Sequence, residues 1–397
     1  MRDIFATLDF LKEQIKAKNE FQRVNLTQAL GCILYEDIFV KKNLPAFDNS
    51  ALDGYALNYT HKNELLEIKG SILAGDKNDY IIEKNECYKI MTGAKIPQNA
   101  NTILMFEEAL LEDEKLNAKN AKENNAIRFK GEEAKLGELL FKKGQKITSG
   151  LIAMLAAQGI YELKVVKKMR VGIFSSGDEL VEPWENADEY SIYNANAFGI
   201  YAILQDYADV EYLGLIKDDL NAYKKLLENK EFDMLISSGG ASVGEADFIK
   251  QALLECDFSP IFEKVNAKLC KHVKLFSKSD MLFLALPGNP LASLVSTHIF
   301  AKNILNLLYG KELLEFDKAR LTKDLNFKGQ RNDFAFGKLV DGYFKPSEAK
   351  FGSGMLKPLC ENTHILITQI DDTKLAKDQE VKVLKFNRVL HYPILND

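Results

Sequence analysis

Residues Asp233 to Asp247, Asp-Met-Leu-Ile-Ser-Ser-Gly-Gly-Ala-Ser-Val-Gly-Glu-Ala-Asp, join an apolar run to a small-residue turn that ends in acids. The run reads as a buried strand, and Phe248-Ile-Lys-Gln-Ala-Leu-Leu254 after it has helical spacing. A strand that breaks into glycines before a helix start is an anion-binding device. Glycine lets backbone N–H groups approach a ligand, and the helix N-terminus adds positive partial charge. Ser237, Gly239, Gly240, Ser242 and Gly244 are therefore candidate binding residues, and Asp247 at the mouth could hold a divalent cation beside the anion. The arrangement suits a phosphate-bearing ligand with Mg²⁺.

Two more strand ends carry comparable signals. In Phe174-Ser-Ser-Gly-Asp-Glu-Leu180 an apolar strand opens into small residues and then two acids. In Leu286-Pro-Gly-Asn-Pro-Leu291 the prolines fix φ while Gly288 and Asn289 tolerate left-handed backbone, so Pro287 to Pro290 could hold N–H groups in a ligand-facing arc. Each turn alone is explained by geometry. Three of them at C-terminal strand ends of one sheet point to a shared ligand site. A separate cluster, Pro45-Ala-Phe-Asp-Asn-Ser-Ala-Leu-Asp-Gly-Tyr-Ala56, reads by itself as an Asx turn and an Asp53-Gly54 hairpin turn, and gains weight beside Tyr88-Lys-Ile-Met-Thr-Gly-Ala-Lys-Ile-Pro97.

The elements that must position these residues follow from periodicity. A chain of 397 residues divides into several domains. Residues 3–18 read as an amphipathic helix with Ile4, Leu8, Leu11 and Ile15 on one face. Short strands and glycine turns dominate from Val24 to Lys168, with an exposed hairpin or loop from Leu110 to Asn125 and a helix from Ser149 to Gly159. After Lys167-Lys-Met-Arg170, strands and helices alternate to Tyr309, which predicts a parallel sheet with helices on both faces. Beyond Lys311 the chain is β-rich and predicts a small barrel or sandwich. The expected class is multidomain α/β plus β, divided as 1–168 (β-rich, with the N-terminal helix), 169–312 (α/β) and 313–397 (β).

Composition excludes several functions. A formal charge of −5 argues against a generic nucleic-acid binder. No apolar run in the sequence reads as a membrane span, and Met1-Arg-Asp-Ile-Phe5 lacks a secretory pattern, so a cytoplasmic protein is expected. The five cysteines contain no Cys-x-x-Cys pair and the five histidines are scattered, which excludes a zinc ribbon and argues against a disulfide framework. No Ser–His–Asp or Cys–His constellation is visible, so no covalent enzyme intermediate is expected.

The motifs taken together resemble the molybdopterin molybdenumtransferase (MoeA) family, which is similar to the E domain of gephyrin. The resemblance rests on Phe47-Asp-Asn-Ser-Ala-Leu-Asp-Gly-Tyr-Ala56, Met91-Thr-Gly-Ala94, Ser176-Gly-Asp-Glu-Leu180, Ser237 to Asp247 and Leu286-Pro-Gly-Asn-Pro290, in the family's order. It implies an Mg²⁺-dependent enzyme that takes adenylylated molybdopterin and molybdate, inserts the metal into the pterin dithiolate and releases AMP. It also implies a homodimer with a shared cleft, and contacts with the molybdopterin adenylyltransferase and molybdoenzyme chaperones. Asp53, Thr92, Glu179, Asp247, Pro287 and Pro290 fall on family active-site positions, with Glu179 and Asp247 as Mg²⁺ ligands. Asp218 and Asp219 match an acidic pair, of which Asp218 is a further metal candidate. Lys264, Lys268, Lys271 and Arg128 supply the cations that a bound oxyanion or phosphate needs.

The chain departs from the family pattern in three places. Leu269-Cys-Lys-His272 stands where Pro-Gly-Lys-Pro is usual, and Gly131-Glu-Glu133 where Gly-Glu-Asp is usual. Asn194-Ala-Asn196 replaces Asp-Ser-Asn; Asn196 keeps its place as a substrate contact, while the acid and hydroxyl are lost. Alternative functions are a molybdopterin adenylyltransferase, a non-catalytic gephyrin-like scaffold, and insertion of tungsten rather than molybdenum.

Overall fold

The computed structural model describes residues 1–217, 219–228, 231–239 and 248–386. Asp218, Gly240, Ser242, Gly244 and Asp247 lie outside the described residues. Chain contacts form two compact units, one of residues 1–19 with 168–397 and the other of residues 20–167.

Helix α1 (Ile4–Gln14) starts where the Asp3 carboxylate accepts the Ala6 N–H, satisfying one of the first-turn donors. Its apolar face, Ile4, Leu8 and Leu11 with Ile15 just beyond, buries in a core shared with Met169, Ile200, Ile299 and Ile304. An amphipathic stripe needs an apolar partner, and here the α/β half supplies it. Neighbours in sequence, the strands from residue 20 onward, have cores of their own.

In the 20–167 unit, β1 (Gly54–Leu57), β2 (Leu65–Ile72), β3 (Glu86–Ile90), β4 (Thr102–Met105), β5 (Leu110–Glu112) and β6 (Lys115–Asn117) form a sheet in the order β4-β1-β3-β2-β6-β5. The β5–β6 hairpin turns at Asp113-Glu114, both with positive φ, the backbone a two-residue hairpin requires. Gly54 is obligatory in β1, because a Cβ there would lie 2.2 Å from the Leu104 carbonyl oxygen. Helix α2 (Ser149–Ala157) is capped by Thr148, and its Leu155 packs with Leu34, Ile147 and Val165.

In the other unit, β7 (Arg170–Ser176), β8 (Asp209–Ile216), β9 (Met234–Ser238), β10 (Ser259–Phe262), β11 (Lys274–Lys278) and β12 (Met281–Leu286) form a sheet ordered β8-β7-β9-β12-β11-β10. The first four strands are parallel, as the alternation predicted; β11 and β10 extend the sheet antiparallel. Side chains alternate between faces. Met234, Ile236, Leu282, Leu284 and Leu286 pack beneath α3 (Asn196–Leu204) and α6 (Pro290–Leu308). Leu235, Phe283 and Ala285 pack against α4 (Leu220–Leu227) and α5 (Phe248–Glu255). Helix α6 is apolar and long enough to cross a membrane by composition alone, yet 83% of it is buried here, so it is the core helix of the sheet. A π-helical stretch, Thr297–Ala301, interrupts it. Last, β13 (Asp317–Leu321), β14 (Phe334–Val340), β15 (Tyr343–Pro346), β16 (His364–Ile367) and β17 (Glu380–Lys385) close a barrel in the order β13-β15-β14-β16-β17, with Leu321, Phe344, Leu366 and Val383 inside.

Candidate functional site

The strand ends predicted from sequence do converge. Ser237 and Ser238 end β9, beside Ser175 and Ser176 of β7 on one side and Leu286 of β12 on the other. Gly239 follows with φ +102°, and a Cβ there would lie 2.3 Å from the Ser176 carbonyl oxygen. Only glycine fits that approach, so bare backbone is exposed where the parallel strands end. Gly288 lies against it; a Cβ on Gly288 would touch Gly239 Cα at 3.6 Å.

Asn196, the first residue of α3, ties these ends together. Its amide nitrogen donates to Ser238 Oγ (2.8 Å) and to the Gly288 carbonyl (2.8 Å), while its Oδ1 is buried without a partner among the described residues. Ser176 Oγ and Ser237 Oγ are likewise buried and unpartnered. Buried polar atoms are normally satisfied, so a cluster of orphaned oxygens at strand ends marks a place where a ligand completes the bonding. The adjacent serine Ser238 instead contacts Ser293 of α6 at 3.3 Å. Sequence reasoning missed Ser176 and Ser238, although the paired serines at both strand ends were the available signal.

Glu179 stands at the mouth, exposed, with its carboxylate folded over Gly177; a Cβ on that glycine would come within 2.7 Å of Oε2. The turn is closed by the Leu180 N–H donating to the Gly177 carbonyl (3.1 Å). Oxygen atoms dominate this cluster: the Glu179 carboxylate, serine hydroxyls and the Asn196 carbonyl. Such hard donors suit Mg²⁺ rather than a soft metal. No group of three or more His, Cys, Asp or Glu side chains forms a metal cluster among the described residues.

The Pro287–Pro290 turn leads directly into α6. Asn289 occupies the N-cap position of α6 without a side-chain capping bond and Pro290 the first turn, and the amides beyond the turn are engaged: Leu291 and Ala292 N–H donate to the Ser353 carbonyl at 2.9 and 3.4 Å. The turn thus offers the Gly288 carbonyl to Asn196, and those two N–H groups serve a loop instead of a ligand. That loop, Phe351-Gly-Ser-Gly-Met355, also meets Lys268, whose ammonium lies 4.7 Å from the Phe351 ring centroid. Lys268 is further fixed by its N–H to the Asn332 carbonyl (3.0 Å). Without its prolines, the Leu269–His272 turn is held by side-chain burial: Leu269 and Cys270 lie in the core, Ser296 Oγ donates to Cys270 Sγ (3.3 Å), and Lys271 and Lys264 point to solvent. Burial drives the Cys270 thiol up to about 12, so it stays a neutral packing group. Lys271, Lys274 and Lys264 also hold the His272 pKa below its usual value, after the larger effect of burial, which makes this turn a concentrated positive field.

The remaining candidates form their own cluster in the 20–167 unit. Asp53 Oδ1 accepts both the Thr92 hydroxyl (2.7 Å) and the Thr92 N–H (2.6 Å), and these bonds hold its carboxyl below the usual range. Gly93 N–H donates to the Ser50 carbonyl and Ile96 N–H to that of Asp48, so the Thr92 segment lies along the Asp48–Ser50 segment. Arg128 pairs with Asn49 across a short antiparallel ladder, and Lys130 N–H donates to Asp48 Oδ1 (2.7 Å). The Thr92 segment and the Arg128 segment thus both lie along Asp48–Ser50, with Asp53 bonded to Thr92 and the Arg128 side chain exposed. Asp219 acts as the N-cap of α4 through the Ala222 N–H, at 2.9 Å.

A sheet covered by helices on both faces with a polar, glycine-lined strand end, a β-barrel after it and a separate β unit with an Asp–Thr pair make up a multidomain α/β plus β protein. Residues 4–159 match the model of the MoeA N-terminal region (domain I and II), and residues 172–306 that of a probable molybdopterin binding domain. A molybdopterin molybdenumtransferase of Haemophilus influenzae is 33% identical over 392 residues, covering 95% of this chain and 97% of that protein. One from Staphylococcus epidermidis is 30% identical over 332 residues, 80% and 78% of the two chains. The crystal structure of a molybdopterin biosynthesis MoeA protein from Pyrococcus horikoshii superposes with a TM-score of 0.83 at 25% identity, over 97% of this chain and 99% of that one. The chain belongs to the molybdopterin molybdenumtransferase family.

Proposed function

We infer that the protein inserts molybdate-derived molybdenum into adenylylated molybdopterin and releases AMP, in an Mg²⁺-dependent late step of molybdenum cofactor synthesis in the cytoplasm. The observation that carries this reading is the strand-end cluster, where oxygens of Ser176, Ser237 and Asn196 have no partner among the described residues and Gly239 leaves bare backbone against Ser176. Hydroxyls and exposed backbone of this kind suit a phosphate group, and the family supplies the pterin that bears it.

Mg²⁺ would be held by Glu179 together with Asp247 and Asp218, and bound there it neutralises phosphate charge as AMP leaves. The chain's own residues do the rest. Ser237, Gly239 and Asn196 orient the phosphate; Lys268 and Lys271 place positive charge for the oxyanion. Asp53, kept ionised by Thr92, and Arg128 act from the β unit, which in a homodimer with a shared cleft would face the strand ends of a partner. Water attacks the phosphoanhydride from which AMP leaves, and the substrate's dithiolate displaces oxide ligands of molybdate that depart as water, so the protein contributes electrostatics and alignment.

The test is AMP release from adenylylated molybdopterin with Mg²⁺, with and without molybdate. Release that requires molybdate supports the reading; equal release without it ends the proposal. Supplying molybdate and tungstate together and measuring the metal in the product reports the preference. Asp53→Asn keeps an acceptor for Thr92 but removes the charge. It is expected to lower turnover about a hundredfold with an unchanged melting temperature; a wild-type rate would remove Asp53 from the machinery.

A further inference from the structure

Asn194 is 1% exposed and hydrogen-bonded at both ends of its amide. The short parallel ladder of Leu180–Val181 with Ile192–Tyr193, continued by Asn194 N–H to the Val181 carbonyl (2.9 Å), brings it beside Glu182. Its Oδ1 faces Ser175 Oγ (3.0 Å) and the Ala197 N–H (3.4 Å). A backbone N–H can only donate, so the amide oxygen is on that side and the nitrogen on the other. That nitrogen donates to the Tyr212 hydroxyl (2.8 Å), which donates in turn to Glu182 Oε1.

The donors therefore all run one way, from Ser175 through Asn194 and Tyr212 to the carboxylate of Glu182. Tyr212 is kept protonated by burial, by its bond to Glu182 and by the nearby charges of Glu182 and Glu185. A phenol has one proton to give. An aspartate at position 194 would compete with Glu182 for it, leaving two carboxylates on one phenol oxygen, and Glu182 is itself 7% exposed with Oε2 unpartnered. An amide at that position removes the conflict.

We propose that Glu182, Tyr212 and Asn194 are a positioning unit. It sets the first turn of α3 and hence the reach of Asn196, whose unpartnered Oδ1 faces the substrate site. Asn194 binds the Ala197 N–H in that turn, and Asn196 bridges Ser238 and Gly288 from it. The link to substrate rests on the function proposed above; the link among the three residues does not.

The experiment compares Asn194→Asp, Glu182→Gln and the double variant. Asn194→Asp is expected to melt about 5 °C below wild type near pH 7.5. The deficit should shrink near pH 5, because like charge raises the pKa of the carboxyl pair and protonation on acidification restores a donor. In the double variant the chain of donors can reverse, from the new amide at position 182 through Tyr212 to the new carboxylate at position 194. Melting should then return to near wild type at both pH values. The KM for adenylylated molybdopterin should rise about tenfold in Asn194→Asp, with kcat changed less, and recover in the double variant. If Asn194→Asp does not accumulate, recovery of soluble, folded protein in the double variant supports the unit equally. A double variant no better than Asn194→Asp, or an Asn194→Asp protein as stable as wild type, overturns the unit. A KM that ignores the stability pattern overturns its positioning role. A wild type without transferase activity would count against the function alone, since the melting data still decide the unit.

Discussion

Gly239→Ala is expected to destabilise the protein by about 3 kcal/mol or more and to remove measurable turnover. Two separate costs add at this position. An alanine at φ +102° lies in a region that L residues rarely adopt. Its Cβ would also sit 2.3 Å from the Ser176 carbonyl oxygen. No rotamer change relieves an overlap with backbone, so the ends of β7 and β9 must separate. That movement displaces Ser176, Ser237 and Gly288 together, which is why activity should fall with stability. Gly342→Ala is the control: its φ is +79°, but nothing lies within 4 Å of the added methyl. It should cost only the backbone strain, about 1 kcal/mol. Urea unfolding of both variants distinguishes the causes. Equal losses would mean that backbone conformation alone, and not the approach to Ser176, makes glycine necessary.

Acidification is expected to unfold the protein through His298. This side chain lies in the π-helical stretch of α6, 8% exposed, with Nδ1 unpartnered and the Phe386 ring centroid 5.8 Å away. Burial, with the neighbouring Lys302 charge, takes its pKa from 6.5 down to about 3. The unfolded chain therefore binds a proton that the folded chain refuses between these values. Stability is full above pH 6.5 and declines as pH falls toward 3, with a slope of about 1.4 kcal/mol per pH unit from this group. By pH 5 the loss is about 2 kcal/mol. His298→Gln keeps a polar side chain of similar reach but cannot titrate. The difference in unfolding free energy between wild type and variant should change by that amount from pH 7.5 to about pH 5. A difference independent of pH would show that His298 is not the proton acceptor.

Both expectations depend on contacts that the linear chain does not display, and the same division runs through the fold. Three of the four parallel strands were legible as short apolar runs that end in small residues or a Pro-Gly turn, and Asp209–Ile216 through its place in the alternation with helices. The barrel was legible as a β-rich tail with glycine turns. The antiparallel strands Ser259–Phe262 and Lys274–Lys278 were not, since a flanking run of lysines drew the reading toward charge. That Asp53 and Thr92 meet could be expected only from resemblance; a side-chain hydrogen bond joins them, and a short ladder sets Arg128 against Asn49 in the same unit.

Residue type and order determined that glycine-bearing turns sit at strand ends, and they identified the family through its motifs. Glycine at position 239, small residues at the ends of β7 and β9 and a helical stripe at residues 3–18 are local requirements, so they are written locally. Tertiary structure alone decided which atoms are left without partners and which are already engaged. It put the Leu291 and Ala292 amides against Ser353, left the oxygens of Ser176, Ser237 and Asn196 open, and joined Ser175, Asn194, Tyr212 and Glu182 into one chain of donors. A hydrogen-bond donor is defined by its type, but whether it is available depends on neighbours that arrive from tens or hundreds of residues away.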